Sequence, residues 1–170
     1  ERRGGAVELA VGLHAQARPE KLALVDLASG RRWTYRAFDA AIEKARAALV
    51  ALGGVLAVMA TPGAATRLAG LTVPRVPTAG EEFDRSDTYQ ADVDARSAAA
   101  ASIAAAISLA AAACTIPALG WLARSGGGWV AAFCLAMAGA LVVYASRHHW
   151  AVPRASLTAA GLAAVVAAAV

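Results

Sequence analysis

From Ser97 to Leu122 no residue carries a charge. After Arg124 and the short turn Ser125 to Gly128, a second uncharged run extends from Trp129 to Ser146. A helix rises about 1.5 Å per residue and a bilayer's hydrocarbon core is about 30 Å thick, so about 20 apolar residues suffice to cross it. Both runs reach that length. A third apolar run, Ala155 to Val170, stops at the end of the chain. The pattern predicts a mainly α, integral membrane protein with spans at 97–122 and 128–146 and a truncated third at 155–170. Ahead of them it predicts a small α/β segment with a β-hairpin and a long amphipathic helix.

A soluble fold would have to bury these runs as core helices. Soluble domains are roughly 45–50% apolar and about 25% charged, whereas this chain of 170 residues is 59% hydrophobic and 16% charged. Beyond residue 96 the only charged side chains are Arg124, Arg147 and Arg154, too few to make polar faces on three helices.

The ends of the runs fit a membrane. Trp121, Trp129 and Trp150 fall where indole rings prefer the headgroup zone, and Arg147 stands beside Trp150's turn. These four are the expected interface anchors. Arg67, Arg75, Arg85 and Arg96 lie in the segment 61–96, Arg147 and Arg154 in 147–154, and Arg124 alone near Ser125–Gly128. Positive-inside bias then places 61–96 and 147–154 in the cytoplasm.

Ala98, Ser102, Ala106 and Ala110 recur every fourth residue and form the expected helix-packing face, since small residues let helices approach without a hydrophobic drive. Pro117 is expected to kink or end that helix. No charge lies at mid-span, which argues against an ion or proton pathway. His148 and His149 have no further ligands nearby, so no metal site is expected. Cys114 and Cys134 lack ligand spacing and read as small buried hydrophobes.

The N-terminal region has a different texture. AVELAVGLHAQA, residues 6–17, has helical spacing and is stopped by Arg18–Pro19. LALVD, residues 22–26, and WTY, residues 33–35, read as two strands of a hairpin across the turn ASGRR. Thr34 is the expected N-cap of the next helix. In that helix Phe38, Ala41, Ile42, Ala45, Leu49 and Leu52 form an apolar stripe, with Arg36–Asp39 and Glu43–Arg46 at i,i+3. It is expected to run through Gly53–Gly54 to about Ala60. Residues 61–96, with Pro62, Pro74, Pro77 and an acidic cluster, read as an exposed linker.

HAQARPEKLALVDLASGRRWTYRAFDAAIEKARAALVALG resembles the N-terminal edge of adenylate-forming (AMP-binding) enzymes over residues 7–53. That family's phosphate loop, ribose-binding acid and catalytic lysine domain have no counterpart here, so the resemblance implies no adenylation and no cofactor. GRR at Gly30–Arg32 is a hairpin turn rather than a phosphate cradle, and His14 has no acid–base partner.

A more extensive resemblance covers residues 55–170. VPRVPTAGEEF, the lead-in DVDAR and the turn YASRHHW resemble EccD, the multi-spanning membrane subunit of type VII secretion systems in mycobacteria and other actinobacteria. It implies a non-catalytic scaffold or channel component in the cell (inner) membrane. It also implies pairing with a second EccD-like copy and contact with the EccB, EccC and EccE subunits and the lipid bilayer. No nucleic acid partner is expected, because aromatic-plus-basic recognition motifs are lacking.

The expected divisions are residues 1–53, 54–96 and 97–170. The two resemblances meet at 53–55, which predicts a joined or fragmentary chain. The alternative function is a truncated piece of an adenylate-forming ligase, or a chimeric gene product.

Overall fold

The computed structural model describes residues 3–72 and 92–170. In chain order its elements are α1 (Arg3–Ala17), β1 (Leu22–Val25), β2 (Arg32–Thr34), α2 (Tyr35–Leu68), α3 (Val93–Ala123), α4 (Gly128–Ser146) and α5 (Ala151–Ala169). Contacts divide the chain into two compact units, Glu1–Leu49 and Val50–Val170, with α2 contributing to both.

In the first unit, α1 closes where Pro19 forbids a further turn. Arg18 N–H donates to His14 O at 2.8 Å, and Lys21 N–H to Arg18 O at 3.1 Å. The chain then returns as the expected hairpin. β1 and β2 are antiparallel, pairing Leu22 with Thr34, Leu24 with Trp33 and Val25 with Arg32. Asp26 organises the turn: its carboxylate accepts from the Ser29 hydroxyl and from Ala28 N–H. Those donors, Ser29 foremost, hold its carboxyl below the ordinary value. Gly30 sits at φ 69°, in the left-handed region that a side chain disfavours.

Thr34 caps α2 as the sequence suggested, its Oγ1 accepting from Ala37 N–H at 3.3 Å. Of the two expected pairs, Glu43–Arg46 forms at 2.7 Å, whereas Arg36 reaches Glu20 at 2.9 Å. Phe38, Ala41 and Ile42 of the expected stripe are half-buried, but Ala45, Leu49 and Leu52 are exposed.

α2 is one helix of 34 residues, passing through Gly53–Gly54 and eight residues beyond the end expected at Ala60. Pro62 lies inside it and offers no N–H. The Thr61 hydroxyl bonds Ala57 O at 2.9 Å and the Thr66 hydroxyl bonds Pro62 O at 2.9 Å. In apolar surroundings the backbone must satisfy itself, so a helix that tolerates one proline is cheaper than an open loop. The helix stops at Gly70, φ 66°. Leu71 N–H reaches back to Thr66 O at 2.9 Å and Gly70 N–H to Arg67 O at 3.1 Å, closing the C-terminus in a Schellman motif. The linker expected from residue 61 therefore begins after Leu68. Pro74, Pro77, Arg75, Arg85 and the acidic cluster to Ala91 lie outside the described residues.

Four described helices are long and apolar enough to cross a membrane: α2, α3, α4 and α5. The sequence reading of two spans and a truncated third is corrected in two places. α2 adds a candidate span. α5 begins at Ala151 rather than near 155, because Pro153 in the first turn needs no N–H partner. Its 19 residues extend about 28 Å, a full hydrocarbon thickness. α3 begins at Val93, so the DVDAR lead-in is helical, and it continues six residues past Pro117 to Ala123.

α5 is the centre of the second unit. It packs extensively on both α4 and α3, while α3 and α4 touch each other only slightly. Its buried line is Pro153, Leu157, Ala160, Gly161, Ala164 and Ala167. At Gly161 the neighbouring helix leaves little space: a Cβ there would lie 3.0 Å from Val142 Cγ2 and 3.6 Å from Ala138 O. Gly161→Leu should therefore separate α5 from α4 and destabilise the bundle by about 1–3 kcal/mol. Gly139→Leu, where a Cβ meets nothing, should have a much smaller effect. Reversible unfolding in mixed micelles, followed by circular dichroism, distinguishes the two.

Candidate functional site

The candidate functional surfaces among the described residues are the helix seams and helix ends. The seams share one rule. α2 buries Ala51, Gly54, Val55, Val58, Thr61 and Ala65. α3 buries Ala101, Ser108, Ala111, Ala112, Thr115, Leu119 and Leu122. α4 buries Val130, Cys134, Met137, Ala138, Leu141 and Ala145. Each line returns to the same face every three, four or seven residues, the spacing that keeps one side toward a neighbour.

The four residues named from sequence as a packing face follow a different line. Ala98, Ser102, Ala106 and Ala110 are all exposed in the structure and take no part in the internal seam. Sequence reasoning missed the buried line that begins at Ala101. Its signal was the seven-residue recurrence of Ala101, Ser108, Thr115 and Leu122.

α2 and α3 approach closely at Gly54. A Cβ on Gly54 would lie 2.1 Å from Thr115 Oγ1 and 3.4 Å from Ala111 O. Thr115 Oγ1 is buried and has no hydrogen-bond partner among the described residues. Ser108, also fully buried, avoids that state by donating to Ala104 O at 2.8 Å. A second tie joins α4 to α2, where Tyr144 O–H donates to Met59 O at 3.3 Å.

The aromatic anchors stand at helix ends. Trp121 lies in the last turn of α3, Trp129 in the first turn of α4, and Trp150 at the N-cap of α5; they are 53%, 53% and 55% exposed. The Arg124 guanidinium lies 5.7 Å from the Trp121 ring centroid, a cation–π pair at the Ser125–Gly128 end. Arg147 is exposed at the opposite end of α4. Trp129 and Arg147 are thus separated by about 27 Å of helix, close to a hydrocarbon thickness.

At that opposite end a polar clasp joins α2 to α3. Arg96 donates through Nε to Asp92 Oδ2 at 2.7 Å and through a terminal nitrogen to Gly70 O at 2.8 Å. The Arg96 guanidinium holds the Asp92 carboxyl below the usual carboxylate range. Among the described residues no group of three or more His, Cys, Asp or Glu side chains is placed to hold a metal ion. Cys134 is buried as expected, but Cys114 is exposed on α3. His149 is exposed, whereas His148 is half-buried and its Nε2 has no partner among the described residues.

Four apolar helices that bury only a part of their surface, with tryptophan and arginine at helix ends, define a multi-pass helical membrane protein. Comparison with protein families then places it more closely. The family described as "EccD-like transmembrane domain" matches residues 6–170, and the chain belongs to that family. No curated protein and no solved structure matches the chain significantly. The match begins at residue 6 and extends across Gly53–Gly54, so the adenylate-forming resemblance of residues 7–53, and the join inferred from it, find no support.

Two outcomes follow from the crossing and the clasp. Gly54→Ala should destabilise the bundle by about 1–2 kcal/mol despite the better helix propensity of alanine. Thr115→Ala should relieve most of that loss, a coupling readable from a double-mutant cycle in micelles. For the clasp, a carboxyl whose folded pKa is lowered contributes stability above its unfolded pKa. That contribution is lost as the pH falls through the lowered folded pKa. Carbon-detected NMR titration of Asp92 should give a midpoint below the ordinary 3.8, and Arg96→Gln should return it toward that value.

Proposed function

We propose that the chain acts as a non-catalytic integral membrane scaffold or channel component of a type VII protein secretion system, in the cell (inner) membrane. The observation that carries this reading is the EccD-like match over residues 6–170. The chemistry of the bundle supports it. From Ser97 onward the charged side chains, Arg124, Arg147 and Arg154, fall at or beyond helix ends or in a first turn. Among the described residues the interior is built for packing, its seams combining alanine, glycine and serine with valine, leucine and methionine.

The partners of that reading are a second EccD-like copy and the EccB, EccC and EccE subunits. Large apolar side chains such as Leu109, Leu135, Val143 and Leu162 point away from the bundle and suit lipid or neighbouring subunits. The exposed line Ala98, Ser102, Ala106 and Ala110 suits a helix of another subunit, because small residues permit close approach.

Positive-inside bias over the spans α3 to α5 supports an orientation with residues 61–96 and 147–154 in the cytoplasm, since the turn between α3 and α4 carries Arg124 alone.

The reading predicts that the chain stays in the pellet after carbonate extraction and copurifies with type VII membrane subunits. Release into the soluble fraction, or substrate-dependent ATP–pyrophosphate exchange, would overturn it. In a Cys114→Ala, Cys134→Ala background, Ser125→Cys should react with an impermeant maleimide added outside intact cells. Ser146→Cys should react only after lysis.

A further inference from the structure

We draw no further inference here: the strongest candidate, the apolar cleft of about 290 Å³ that Ala65 of α2, Ala101 and Ala104 of α3 and Pro153 of α5 line at one end of the bundle, carries nothing because nothing in the structure shows what covers it.

Discussion

Gly161 brings α5 to within van der Waals contact of α4, with Ala138 O and Val142 directly opposite it. Helix association inside a bilayer gains nothing from apolar burial itself, because lipid tails are as apolar as leucine; it depends on close packing. The contact at Gly161 supplies that packing, and alanines at 160, 164 and 167 extend it along the helix. α3 then lies on α5 rather than on α4, although α3 and α4 are consecutive in the chain. Adjacency in sequence alone therefore does not set the order of packing.

A small seam and a polar group placed within it have opposite effects. Ser108 closes its hydroxyl onto its own helix and packs as a slightly larger alanine. Thr115 cannot be treated the same way, since its Oγ1 faces the bare backbone of Gly54 and lacks a partner among the described residues. Removing the side chain at residue 54 creates room for the hydroxyl without giving it an acceptor. The crossing is thus fixed in register by shape, at a cost in hydrogen bonding that a purely apolar pair would avoid.

The membrane class, the hairpin, the Thr34 cap and the α4 boundaries were legible in the sequence because each rests on a local signal: charge, turn chemistry, a capping oxygen, a tryptophan. Helix phase was not. Steps of four advance about 40° beyond a full turn each time, so the line from Ala98 to Ala110 drifts about 120° around the cylinder. In α3 every line is small or apolar, and a helix that is hydrophobic all round carries no amphipathic cue to its buried face. The early start of α5 and the late end of α2 were hidden by prolines. Pro153 and Pro62 look like breaks in a linear reading, yet one sits in a first turn and the other inside a self-satisfied helix. The exposure of Cys114 has the same origin as the misplaced face, since it lies one step from Thr115 on the side turned away from α2.

The two ends of the bundle are built differently, and this bears on what each can do. At Ser125–Gly128 the chain reverses through Gly126 and Gly127 at φ 58° and 103°, with Arg124 resting on Trp121. At the other end, Arg96 clasps Gly70 O and Asp92, and Tyr144 ties to Met59 O. The bundle is therefore held by shape along its seams and, at this end, also by side-chain hydrogen bonds to backbone oxygens of a neighbouring element, which fix how the helix ends meet.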